Sequence, residues 1–289
     1  MIYPRDILSE YLAFPPLDDS PEILKARLRV LSALRTYLSV NISESDRRLE
    51  RNIRNHLDIL FSETLQSFDK QDKEEDKYAL LSLLFELAFQ TESFPNIEKE
   101  DKCLEMAETL FGNTLSSEQE NETYAPSGDM MACAAHYLLW SGDDNAAVAG
   151  FYEDVLRHWR SSLASDGRWP GISDAEAWKR IAVLAADDSL PCSAEPQTLS
   201  EKIVRAYLHR LPHEIKSRQD LNTFAAFTDT TRIMPFRGIN PEDCEALVLG
   251  LQRKLPSGTT DWQLRSCFMV HSILYALHQS QEVMEANIL

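Results

Sequence analysis

An acid, a cation and a large aromatic stand within four residues of one another in Asp166-Gly167-Arg168-Trp169-Pro170-Gly171. Two Gly and a Pro set the backbone of that turn. Asp129 closes a similar stretch, Tyr124-Ala125-Pro126-Ser127-Gly128-Asp129, and Asp261-Trp262 follows Pro256-Ser257-Gly258-Thr259-Thr260. Asp129, Asp166, Arg168, Trp169, Asp261 and Trp262 are therefore the candidate ligand-binding residues. Carboxylates beside aromatic faces suit a sugar or a peptide. A plainer role competes with this one. Asp is common in caps and turns for backbone reasons, and Trp is costly to leave in water. For Trp169 the expectation is packing against the core.

Two Cys-His pairs form a second constellation. Cys133 with His136, and Cys267 with His271, each share one face of a helix at i,i+3 or i,i+4. Meeting in space, they would make a Cys2His2 zinc set or a Cys-His nucleophile. No CxxC or HExxH supports either, and Cys is a common core residue, so no metal is expected. Glu86 lies inside an apolar helix. Either it is buried alone with a raised pKa, or it pairs with an arginine. Arg47, Arg51 and Arg54 form a basic stripe with Asp46 and Glu50 beside it, which reads as a solvated, partly paired face. GxGxxG and GxxxxGK[ST] are both missing from the sequence, so no nucleotide cofactor is expected.

The elements that must position these residues are helices. Apolar residues at 3–4 spacing and start signals predict inner (A) helices near 21–40, 76–91, 128–141, 174–187, 218–230 and 261–279. Outer (B) helices are predicted near 44–67, 97–112, 145–162, 199–211 and 241–254. Residues 66–77 and 116–123 read as polar breaks. Ser127, Ser173, Ser217 and Thr260 open the last four A helices at intervals of roughly 45 residues, the period of helical-pair arrays. Ser173 with Glu176, Thr198 with Glu201, and Thr260 with Gln263 have the spacing of capping boxes. Asp144 and Asn240-Pro241 mark two B starts. Some A helices, such as 267–277, are apolar on most sides and must be covered all round. The fold class is all-α, a helical-hairpin repeat array. A closed (α/α)6-like toroid is favoured over an open α-solenoid, because six hairpins are counted and segment 4–14 supplies a sixth outer helix. Residues 1–289 read as a single all-α domain of about six hairpins.

The helix count resembles that of the α/α toroids, among them lanthipeptide cyclases, prenyltransferases and several glycoside-active enzymes. The repeated Gly-rich turns and the Cys…Cys-His zinc signature of the lanthipeptide cyclases are missing. The resemblance therefore transfers no site and no activity.

The 289 residues carry 29 Lys+Arg against 46 Asp+Glu, a formal net charge of −17, and most of the excess lies in residues 1–150. Such a surface repels phosphate backbones, so no nucleic-acid partner is expected. Solubility is the plainer reading of the acidity, and attraction of a protein or peptide partner with a basic surface is the alternative. The longest strongly apolar stretch, 78–89, is too short for a bilayer, so no membrane association is expected. Residues 1–14 carry Arg5, Asp6 and Glu10, which a secretory signal would not. Five Cys in no dense framework read as reduced thiols, hence a cytoplasmic location. The expected function is a protein- or peptide-binding scaffold. The alternative is a toroid enzyme acting on a sugar or peptide in a central cavity.

Overall fold

A computed structural model describes residues 4–13, 20–40, 47–90, 97–118, 126–141, 145–188, 203–212, 214–233 and 261–286. The chain is all-helical, and no strand occurs among the described residues. The helices are α1 (Pro4–Ala13), α2 (Pro21–Val40), α3 (Arg47–Asp69), α4 (Glu74–Gln90), α5 (Ile97–Glu118), α6 (Gly128–Ser141), α7 (Ala146–Ser161) and α8 (Asp174–Asp188). Then come α9 at 203–208, α10 (Arg218–Ile233) and α11 (Trp262–Ala286). The predicted helix 241–254, the start signals at Asp144, Thr198, Asn240 and Thr260, and Cys192 and Cys244 lie outside the described residues.

Two predicted breaks are narrower than expected. α3 runs to Asp69 because Thr64 and Ser67 continue its buried face. α4 begins at Glu74, where Glu74, Glu75 and Asp76 sit in its first turn and meet the positive end of the helix dipole. α5 continues through 116–118, with the Ser116 hydroxyl donating to the Gly112 carbonyl at 2.7 Å.

Side-chain caps set the helix starts. The Ser127 hydroxyl accepts from the Met130 N–H, and Asn145 caps α7 by accepting from the Val148 N–H. Ser217 and Asp220 form a reciprocal box. At α8 the box is only half made. Ser173 accepts from the Glu176 N–H at 3.2 Å, but the Glu176 carboxylate crosses to α6 and accepts from the Gly128 N–H at 2.8 Å. Arg180, one turn further along, holds it there at 3.2 Å.

Burial follows the two helix classes. α4 buries Tyr78, Leu80, Leu81, Leu83, Leu84, Phe85, Leu87 and Ala88, which cover every side of a helical wheel. It accordingly packs on α2, α3, α5 and α6. α3 buries one stripe through Ile53, Leu57, Leu60 and Phe61. The A helices touch in sequence: α2 with α4, α4 with α6, α6 with α8, α8 with α10, and α10 with α11. α11 also packs along α2, and α1 lies against both. Among the described residues, two apolar clusters make up the core. One centres on α1 to α6 with part of α11; the other joins α7 to α10 with Met131 of α6 and with Leu264, Cys267 and Phe268 of α11.

Candidate binding cavity

Charged residues interrupt the buried faces of the A helices. On α2, Lys25, Arg29 and Ser32 recur at i, i+4 and i+7, so they share one face. α4 contributes Glu86 and Gln90, α6 Asp129, α8 Lys179, and α10 Asp229 and Arg232. A charge that leaves water must be paired, and these are. Arg29 is only 2% exposed. Its Nε donates to Asp229 Oδ1 at 2.5 Å, its Nη2 to Oδ2 at 2.9 Å, and its Nη1 to Ser266 Oγ at 2.9 Å. Arg232 grips Glu86 with both terminal nitrogens and reaches Ser32 Oγ at 2.9 Å. Glu86 thus takes the paired role. Asp129 bridges two cations, Lys25 at 3.2 Å on Oδ1 and Lys179 on Oδ2. Gly128 permits that bridge, since a Cβ there would lie 2.5 Å from the Lys179 Cβ. Any larger residue would push α6 away from α8.

These pairs fix protonation. Burial alone would raise the Asp129 and Asp229 carboxyls. Lys25 and Lys179 around the first, and Arg29 beside the second, hold both below the ordinary 3.8. Burial would lower the Lys179 ammonium, but Asp129 raises it above its ordinary value.

The side chains of this set that reach open space line a cavity of about 1200 Å³. Six helices contribute to it: α2, α4, α6, α7, α8 and α10. Its walls are largely small or apolar, with Ala132, Ala135, Ala149, Leu156, Ala182 and Val183 among them. Arg160 and Asp187 pair at 2.7 Å on its wall, and Leu139, 68% exposed, stands on its lining. His136 and Tyr152 also line it. Neither makes a hydrogen bond among the described residues, although the His136 ring meets Phe85 edge-on at 5.9 Å. Burial lowers the His136 imidazole and raises the Tyr152 phenol, so both are neutral near pH 7.

Of the six residues singled out from the sequence, Asp129 lines the cavity and the other five do not. Trp169 is 4% exposed. Its indole N–H donates to the Trp159 carbonyl at 2.8 Å, and its backbone N–H to the Tyr207 hydroxyl at 3.0 Å. Asp166 and Arg168 pair with each other at the surface. Asp261 caps α11, accepting from the Leu264 N–H at 3.1 Å. Trp262 is buried edge-on against Tyr11 of α1, with ring centroids 5.2 Å apart. The structure therefore leaves these loop residues in separate places. Sequence reasoning missed Lys25, Arg29, Lys179, Asp229 and Arg232. Their signal was a charge at a buried register of an A helix, the same signal that singled out Glu86.

The two Cys-His pairs belong to different clusters. Cys133 lies in the first and Cys267 in the second. Among the described residues no group of three or more His, Cys, Asp or Glu is placed to hold a metal ion. His271 stacks on Phe224 and Phe227, with Nε2 3.2 Å from Thr228 Oγ1. Burial lowers its pKa from 6.5 to about 4. The unfolded chain therefore binds a proton that the folded chain refuses. Stability from this group is full above about pH 6.5 and is lost as pH falls toward 4, by on the order of 3 kcal/mol. His271→Phe is expected to flatten the urea-midpoint profile between those pH values. An unchanged slope would mean that His271 does not titrate as its burial requires.

Among the described residues no helix is long and apolar enough to cross a membrane. No protein-family model matches the chain, and neither a curated protein nor a solved structure matches it.

Proposed function

We propose that the A helices close into an (α/α)6-like ring and that the protein is a peptide-binding scaffold, its cavity receiving a segment of a partner chain. Support for closure comes from the succession of A-helix contacts and from the return contact of α11 with α2. The observation that carries the binding reading is the cavity itself. At about 1200 Å³ it exceeds the roughly 300–1,000 Å³ of most small-molecule sites. Small and apolar walls accept side chains, and the paired charges accept backbone or polar groups.

The alternative is an enzyme acting on a sugar or peptide, which needs a carboxyl free to take or give a proton. Of the five acids on the described lining, Asp129, Asp229, Glu86 and Asp187 are each engaged by a cation, and the fifth, Glu153, is exposed to water. Carboxylates paired in this way, with Asp129 and Asp229 held below the ordinary carboxylate range, favour binding over turnover.

The test is selection from a displayed library of random 12-residue peptides, followed by affinity measurement on the synthesised winners. Ala182→Trp places a large ring in the cavity wall. Enriched peptides are expected to bind the parent and to lose at least tenfold in affinity for Ala182→Trp. Failure of any peptide to enrich, or equal affinity for both proteins, would remove the scaffold reading.

A further inference from the structure

One end of the cavity carries more cation than acid. Arg29 is matched by Asp229 and Arg232 by Glu86. Glu176 is hydrogen-bonded by Arg180 and the Gly128 N–H, and its charge is also felt by Lys179, so five cations (Lys25, Arg29, Lys179, Arg180 and Arg232) stand with four carboxylates (Glu86, Asp129, Glu176 and Asp229). What remains is two ammonium groups, Lys25 and Lys179, on a single carboxylate, Asp129. Lys25 also stands 3.9 Å from Asp229, but that acid already serves Arg29. Among the described residues the surplus is one positive charge, in a chain whose formal net charge is −17.

Both ammonium groups have donors to spare. Each has three N–H bonds. Each gives one to Asp129 and makes no other hydrogen bond among the described residues. Both side chains are 34% exposed, and both line the cavity, so a ligand can reach them. A monoanion with two acceptor oxygens would take up the spare donors and cancel the surplus. A phosphate dianion would overshoot it, and an amide would leave the charge uncompensated.

We infer that this end of the cavity is a carboxylate site, in which Lys25 and Lys179 together hold an organic carboxylate whose apolar body lies along the alanine-rich wall. In the peptide reading, on which this partly rests, the group is a C-terminal carboxylate or an acidic side chain. A free organic acid has the same chemistry. The sign is opposite to that of the partner expected from the whole-chain charge, because the local groups dominate at contact distance.

The test uses 4-phenylbutyrate and its neutral isostere 4-phenylbutanamide, titrated calorimetrically into the parent, Lys25→Met, Lys179→Met and the two Lys→Arg variants. The acid is expected to bind the parent at least tenfold more tightly than the amide. Each Met variant should lose tenfold or more, and each Arg variant should stay within about threefold. Reductive methylation followed by mass spectrometry gives a readout that needs no variant. The acid, and not the amide, should slow labelling of Lys25 and Lys179. Equal binding of acid and amide, no binding, or unchanged labelling of both lysines would overturn the site. Selected peptides then separate the sources. If amidation of the C-terminus or Glu→Gln in a winner costs tenfold, the carboxylate is the peptide's. If no peptide enriches while 4-phenylbutyrate binds through both lysines, the carboxylate site stands and the peptide reading falls.

Discussion

Trp169→Ala is expected to destabilise the protein by about 3–5 kcal/mol, the range for removing a large aromatic from a core. The indole is nearly closed to water and stacks on Tyr207 with ring centroids 6.0 Å apart. Arg180 lies over the rings of both Trp159 and Trp169, 4.5 Å and 5.8 Å from their centroids. Deleting the indole opens a cavity and strips one face from that guanidinium. It also leaves the Trp159 carbonyl without the indole donor at the end of α7. The effect reaches the cavity indirectly, because Arg180 steadies Glu176, and Glu176 holds the first turn of α6, where Asp129 sits. The measurement is the urea midpoint of Trp169→Ala against the parent. A shift under about 1 kcal/mol would place Trp169 among exposed positions and return the turn to the list of ligand sites.

The Trp169 turn shows how far the sequence was legible. Gly167 and Gly171 both take positive φ, as a tight turn with Gly at those places requires. The balance between a packed and a ligand-facing indole turned on the cost of exposing Trp, a local argument, and the structure has the ring packed. The helices were legible for the same kind of reason. Apolar spacing and caps are properties of neighbouring residues, so α2 and α6 match their expected ranges. The errors came where one signal stood for another. Polar residues at 116–118 read as a loop, yet a helix end tolerates exposed Ser while its backbone ladder continues. Glu176 had the spacing of a capping box, but its carboxylate found better partners on another helix.

The cavity was legible only in part, and the reason is sequence distance. Arg29 and Asp229 lie 200 residues apart, as do Arg232 and Ser32, and Arg232 and Glu86 lie 146 apart. A charge on a buried helical face announces that it needs a partner. It does not announce which one. The loop residues were more conspicuous because unusual composition is visible locally, while a lone Arg or Lys among leucines is not. The described residues of the loops joining B to A helices are caps and packing residues, and the buried charge pairs collect along the A helices themselves.

Arg29→Met is expected to cost about 3–5 kcal/mol, because it leaves Asp229 buried without its principal counter-charge. The bonds lost join α2 to α10 and, through Ser266, to α11. Asp229→Leu alone should cost a similar amount by stranding the guanidinium. The double variant should cost much less than the sum, since two apolar side chains can fill the space with no charge left to solvate. Acid titration supplies an independent reading of the same pair. The folded-state pKa of Asp229 lies below 3.8, so its contribution is complete above the ordinary carboxylate range and disappears as pH falls below it. Asp129 behaves alike through Lys25 and Lys179. The double variant should therefore lose less stability than the parent between about pH 4 and pH 2. The His271 transition should persist through burial but move toward the ordinary imidazole value, because Arg29 is the second cause holding that ring's pKa down. Additive costs in the cycle, or an acid limb of unchanged slope, would show that the pair is not what couples these three helices. Subadditive costs with a flattened acid limb would identify the Arg29–Asp229 contact as the joint that fixes α2 against α10 and α11, and so places Lys25, one turn before Arg29 on α2, in the carboxylate site.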